Sequence, residues 1–177
     1  MKIFNMHERR VPTSAEDLGV VLDSLSGSND NLWPWEKWPP MQMNASLERG
    51  SSGGHGPIRY HVSDYVPGNR VVFQFDDYGL VGGLDGRHYF EIISRRNHAM
   101  IRHVVDAECD FKMWVKWFIL VGPLHDALIE DAFDKVESSF KDDPIKRRQW
   151  SPWVKFLRSM LARKRQKESQ RKSPIVA

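Results

Sequence analysis

From Met41 to Asp106 apolar side chains recur at nearly every second position, a pattern that few backbone conformations can use. A strand sends successive side chains to opposite faces, so period two means one buried face and one wet face. Ile58, Tyr60 and Val62 alternate with Arg59, His61 and Ser63, and Val71, Phe73 and Phe75 alternate with Val72, Gln74 and Asp76. Met41, Met43, Ala45 and Leu47 define an earlier strand. The Gly-rich stretch Gly50–Gly56 reads as a turn, Pro67-Gly68-Asn69 as a tight turn and Gly79–Gly86 as a loop. Arg87–Arg95 and His98–Asp106 read as a hairpin about Arg96-Asn97. Short alternating strands joined by tight turns predict an antiparallel meander.

Other patterns flank this block. Lys2–Val11 is strand-like and ends at Pro12. Ser14 then precedes Ala15-Glu16-Asp17, a helix N-terminus with acids in its first turn, and Leu18, Val21, Leu22 and Leu25 give one apolar stripe. Leu32 to Pro40 holds Trp33, Trp35 and Trp38 among three prolines, which predicts a non-helical aromatic loop acting as a lid at one end of the core. After Asp110, a plausible N-cap, Trp114, Trp117, Phe118, Val121, His125, Leu128, Ala132 and Val136 recur at steps of three or four. Gly122-Pro123 leaves two readings. Either one helix spans Lys112 to Ser139, kinked at Pro123, or a strand to Val121 precedes a helix with Pro123 in its first turn.

Charge is distributed unevenly. Residues 141–177 carry 12 Lys/Arg against 3 Asp/Glu, and the other 140 residues carry 14 against 20. A mildly acidic body argues against nucleic-acid binding by the body, while the basic tail suits anionic partners. With 177 residues, 41% of them hydrophobic, the chain can bury a core without staples. Cys109 is the single cysteine, so no intramolecular disulfide or cysteine metal site is expected. No signal peptide or membrane span is read from the sequence, and a reducing cytoplasm is the expected compartment.

Two stretches resemble a known superfamily. Gly54-His55-Gly56-Pro57-Ile58-Arg59-Tyr60 with Tyr65-Val66-Pro67-Gly68-Asn69-Arg70-Val71 is similar to the two-strand core of bacterial START-like (SRPBCC) helix-grip proteins. Pro123 to Ala132 resembles their C-terminal helix. That superfamily includes the birch pollen allergens and the polyketide cyclases. The resemblance covers roughly residues 1–140 and implies an α+β fold, a curved antiparallel sheet of six or seven strands around a long helix. It favours the continuous, kinked helix. It also implies a ligand domain over 1–143; residues 144–177 read separately, from their own spacing and composition, as a basic amphipathic helix and disordered tail. Such proteins hold an apolar small molecule between sheet and helix, and a minority are cyclases, dehydratases or hydrolases.

The residues expected around such a ligand are Tyr60, Phe73, Phe75, His88 and Phe90 from strands, and Trp114, Phe118, Val121 and His125 from the helix. Trp33, Trp35 and Trp38 form the lid. The same pattern would also serve a filled core, and the resemblance is what implies a cavity. His88 and His125 lie on apolar faces, where an imidazole can bond a ligand or act as acid or base. No metal site is expected. His125, Asp126, Glu130 and Asp131 do not share one helical face, no His pair stands at i, i+4, and His98 and His103 point to opposite faces of a strand. No cofactor is expected, because Gly82–Gly86 lacks the spacing of a dinucleotide loop. Cys109 sits between Glu108 and Asp110, which oppose thiolate formation. Asp126, Glu130, Asp131 and Asp134 read as the solvated side of the helix.

In the tail, Ser151 and Pro152 open a helix with Trp150, Trp153, Val154, Leu157, Met160 and Leu161 at helical spacing, and Lys155, Arg158, Arg163, Lys164 and Arg165 on its other sides. This helix either packs back over the Trp33–Trp38 loop or lies on an anionic membrane surface, which would make the protein peripheral. Beyond Arg163 the composition predicts no fixed structure. The leading functional expectation is binding or carriage of a small hydrophobic molecule. A cyclase- or dehydratase-like enzyme using a cavity histidine, and a membrane- or partner-binding protein acting through the tail, are the alternatives.

Overall fold

The computed structural model describes residues 1–141 and 148–172, with side chains through Arg163. The expected domain boundary at 143/144 and residues 173–177 of the tail lie outside the described residues. The alternating segments become seven strands: β1 (Lys2–Val11), β2 (Met41–Met43), β3 (Ser52–His55), β4 (Ile58–Val66), β5 (Arg70–Phe75), β6 (Leu84–Arg95) and β7 (His98–Cys109). They form one antiparallel sheet in the order β1-β7-β6-β5-β4-β3-β2. The first strand pairs with the last, from Lys2 opposite Glu108 to Val11 opposite Ala99. The hairpin between β6 and β7 closes with Arg95 opposite His98, as its turn residues predict.

Two strand readings need correction. Only Met41–Met43 of the Met41–Leu47 alternation is extended, and the Gly50–Gly56 stretch read as a turn contains β3. Glycines carry no apolar alternation to read. Gly53 is also required sterically, since an added Cβ would stand 2.0 Å from the Gln42 carbonyl oxygen. β6 begins inside the expected Gly79–Gly86 loop. There Gly86 takes a φ of 155° and comes so near β7 that a Cβ would lie 2.3 Å from Ala107 Cα, a bend that only glycine permits.

Ser14 caps α1 (Ala15–Asp23) by accepting from the Asp17 amide at 3.0 Å, and the helix buries Leu18, Val21 and Leu22. Asp110 likewise accepts from the Met113 amide at 2.7 Å and opens the long helix. That helix runs without a break through α2 (Phe111–Lys116), a π turn (Trp117–Val121) and α3 (Gly122–Ser139), so the strand alternative for Trp114–Val121 falls. Pro123 has no amide hydrogen to offer the preceding turn, and the chain widens into a π turn just before it.

The wide turn shifts the helical register by one residue, about 100° of rotation. Met113 and Trp117 therefore join Val121, Leu124 and Leu128 on the buried stripe, while Trp114 is only partly buried. Trp117 is 5% exposed and Phe118 59%. Phe118, expected to face the sheet, does not, and Trp114 packs only partly buried at the edge of the core.

The tail folds back. Ser151 caps α4 (Pro152–Lys172) by accepting from the Val154 amide at 3.2 Å, and Val154 and Leu157 join the main core. The helix continues past Arg163 to Lys172, where no fixed structure was expected. Lys, Arg, Gln and Glu are all good helix formers.

Candidate ligand-binding cavity

Between the concave face of the sheet and the long helix lies an unfilled space of about 570 Å³, the size of a small-molecule pocket. Phe75, His88, Phe90 and His103 supply its sheet wall, and Trp117, Val121, His125 and Leu128 its helix wall. Trp33, Trp35 and Trp38 lie over it, with Arg158 and Leu161 of α4.

Of the residues expected around a ligand, Phe75, His88, Phe90, Val121 and His125 line this space, and the three tryptophans cover it. Tyr60 and Phe73 are fully buried behind the wall. Tyr60 Oη stands 3.0 Å from His55 Nδ1, and Phe73 stacks on His88 with ring centroids 4.9 Å apart. Trp114 and Phe118 are outside the cavity because of the π turn.

His55, His103, Trp117 and Arg158 were not among the expected site residues. His103 had a signal, since it shares strand parity with the buried Ile101 and Val105. Trp117 also had a signal, since it stands on the apolar stripe read for the long helix. His55 sits among glycines, and Arg158 read as solvated charge.

The wall chemistry is unusual in its imidazoles. His88 Nδ1 lies 3.3 Å from His103 Nε2, and the His103 and His125 rings are 4.9 Å apart. Burial holds all these histidines neutral. It carries His55 down to about 3, with the charges of His125 and Arg59 adding to the effect. His88 and His103 fall well below the usual imidazole range for the same reason, with neighbouring histidines contributing. His125 is also lowered by burial, against the pull of Asp126. His88 Nε2, His103 Nδ1 and His125 Nε2 are buried without a hydrogen-bond partner, and His125 Nδ1 has only Asp126 Oδ1, at 3.6 Å. Each such atom costs about 1–3 kcal/mol unless something else supplies the bond.

The roof is held by one carboxylate. Asp131, buried on α3, accepts from Trp38 Nε1 and Trp150 Nε1, each at 2.8 Å, and from Lys37 Nζ. The Arg158 guanidinium lies 4.1 Å from the Trp38 ring centre and 4.0 Å from that of Trp150, and donates to the Lys37 carbonyl. Asp131 was expected in solvent, as was Asp134, which is buried and accepts from Arg9 at 3.0 Å. Both are corrected by partners that come from elsewhere in the chain.

On the opposite flank β1 meets α3 through charge. Arg9 reaches Glu130, Asp134 and Glu137 together. His7 places Nδ1 2.9 Å from Glu130 and Nε2 3.1 Å from Asp126. Burial works against its charge, but these two carboxylates outweigh it and raise its pKa. His7, His125 and Asp126 offer ligand atoms within 4.8 Å of one another, a spacing that one metal ion could span. Spacing within a single helix could not reveal this trio, because His7 comes from β1. Both His7 nitrogens already face carboxylates, which favour its charged form.

No family model and no curated protein sequence matches the chain. Solved structures do. Norcoclaurine synthase from Thalictrum flavum, solved with dopamine and hydroxybenzaldehyde, is 16% identical over 81% of this chain and 90% of its own, with a TM-score of 0.59. CalU16 from Micromonospora echinospora is 13% identical over 93% of this chain and 94% of its own, with a TM-score of 0.54. A protein from Thermobifida fusca is 11% identical over 77% and 92%, with a TM-score of 0.59. Identities this low speak to architecture alone. Sheet order, the long helix gripped by the sheet and these likenesses agree: the chain has a helix-grip fold.

Proposed function

We propose that the chain binds and carries a small hydrophobic molecule that also bears hydroxyl or carbonyl groups. The observation behind this reading is the 570 Å³ cavity whose largely apolar wall contains three buried imidazole nitrogens without partners, one each on His88, His103 and His125. An apolar body would fill the space between Phe75, Phe90, Val121 and Leu128, and its polar groups would meet His88, His103 and His125. Neutral imidazole can donate or accept, so alcohols and carbonyls both match.

The same cluster supports a second reading, acid–base catalysis of a cyclisation or dehydration, because several polar groups converge in the cavity. It ranks second on physical grounds. A general base works best with its pKa near the working pH, and burial has carried His88 and His103 well below the usual imidazole range and lowered His125.

Leu128→Trp, which fills the cavity, is expected to weaken binding of 1-N-phenylnaphthylamine by about tenfold or more while the fold persists. His103→Leu is expected to weaken a naphthol and spare naphthalene. Undiminished probe affinity in Leu128→Trp sinks the cavity reading, and equal responses to naphthol and naphthalene sink the role given to the histidines.

A further inference from the structure

The long helix and α4 turn an aromatic strip away from the cavity. Phe111, Phe118, Ile119, Trp153 and Phe156 are 68%, 59%, 54%, 45% and 56% exposed. They form a connected surface. Phe111 stacks on Trp114 at 6.3 Å and Trp114 packs on Phe118 at 4.7 Å. Trp153 donates Nε1 to the Ile119 carbonyl at 2.8 Å and stacks on Phe156 at 5.4 Å. Residues far apart in sequence thus make one strip across two helices.

The core does not require this strip. A regular helix would place Phe118 on the buried stripe, and the π turn is what faces it outward, while Trp114 stays partly buried at the edge of the core. α4 likewise carries two apolar stripes, Val154 and Leu157 inward and Trp153, Phe156 and Met160 outward. Large exposed apolar surfaces on soluble domains mark interaction sites, and departures from regular helix geometry concentrate at functional positions.

Charge selects the partner. Lys112 and Lys116 interleave with the aromatics of α2, and Lys155 lies between Trp153 and Phe156. α4 continues through a segment whose sequence holds Lys164, Arg165, Lys167, Arg171 and Lys172. Aromatic residues beside lysine and arginine suit the boundary between headgroups and acyl chains, and the positive charge suits anionic lipid. Among the described residues no helix is long and apolar enough to cross a membrane, so the contact would be interfacial.

We propose that this strip is a docking surface for an anionic lipid bilayer, with α2 and α4 lying against the headgroups. The opposite side of α4 carries Arg158 and Leu161 over the cavity, so docking would bring the cavity roof beside the lipid. The proposal does not depend on what the cavity holds.

The test is flotation of the full chain with phosphatidylcholine vesicles containing about 30% phosphatidylserine. Wild type is expected to float with these vesicles, to bind phosphatidylcholine alone about tenfold more weakly, and to release at high salt. Phe118→Ser with Phe156→Ser alters two side chains already in water, so stability should hold while vesicle binding drops about tenfold or more. Lys112→Glu with Lys155→Glu should lose only the preference for phosphatidylserine. If the aromatic pair does not fold, Phe111→Ser and the charge pair carry the test. Indifference to phosphatidylserine, or full binding by a folded aromatic pair, overturns the proposal. So does a wild-type dimer that becomes monomeric in the aromatic pair while neither protein floats, since a second copy would then own the strip. Phenylnaphthylamine affinity is read in parallel and should not change in these variants, which separates failure of docking from failure of the cavity reading.

Discussion

Two populations of buried histidine lie within one cavity's width of each other, and they respond to protons in opposite ways. His7, at the seam between β1 and α3, faces Asp126 and Glu130, and these carboxylates raise its pKa in spite of burial. His55, His88 and His103, on the far side of the α3 seam, face aromatic rings and one another, and burial depresses them. The residue type is the same, but His7 is only partly buried where His88 and His103 are fully enclosed, and it alone has two carboxylates within bonding distance. Burial alone therefore does not decide the charge of an imidazole, and the sheet edge and the sheet centre follow different rules.

The largest expected effect tests that contrast through pH. A group depressed on folding stays neutral in the native state while its unfolded counterpart, near 6.5, takes up a proton. The unfolded chain then binds more protons, and stability falls as pH drops below about 6.5. His7 works the other way. Its contribution is complete below about 6.5 and fades as pH rises through its raised native value. Three or more depressed histidines against one raised histidine predict net acid lability. Between pH 7 and pH 5 each fully buried neutral imidazole should cost about 1–2 kcal/mol, several in sum. Urea denaturation at pH 5, 6 and 7 measures this, and a flat profile would break the contrast.

The sequence carried the sheet centre better than the sheet edge. His88 could be placed inward because it shares parity with Phe90 and Ile92, and alternation on β6 survives into the structure. The hairpin, the Ser14, Asp110 and Ser151 caps and the non-helical course of the tryptophan loop were legible for similar reasons, since each depends on a few adjacent residues. What failed depended on distant partners or on irregular backbone. Asp131 and Asp134 looked solvated because nothing local announces Lys37, Trp38, Trp150 or Arg9. Trp114 and Phe118 were placed inward because periodicity assumes a regular helix. His55 was invisible because glycines surround it. His7 sat on a strand that gave no hint of Asp126 and Glu130.

A smaller effect sharpens the comparison at one position. His88→Leu removes one neutral imidazole and the orphaned Nε2 with it, leaving an apolar side chain against Phe73 and Phe75. At pH 7 the change should be modest, because the lost ring packing is offset by the removal of an unsatisfied polar atom. At pH 5 the variant should lose about 1–2 kcal/mol less than wild type, one histidine's share of the acid penalty. Paired denaturation curves at the two pH values measure it. An unchanged acid loss would show that His88 is not held neutral.

The smallest effect belongs to His7, and its sign is what matters. His7→Gln keeps a polar side chain between Asp126 and Glu130 but removes the positive charge they share. Arg9 remains on Glu130 and Asn5 still donates to Asp126 at 3.0 Å, so the seam keeps other partners. The expected cost at pH 6 is about 1 kcal/mol, within the usual worth of a hydrogen bond to a charged group after partial replacement. The cost should shrink as pH rises through the raised native value, because the wild-type imidazole then loses its proton. His88→Leu gains on wild type as pH falls, whereas His7→Gln gains as pH rises. Stability curves for the two variants that run in the same direction with pH would mean that the carboxylates beside His7 do not set its charge, and the distinction between the two histidine environments would fail.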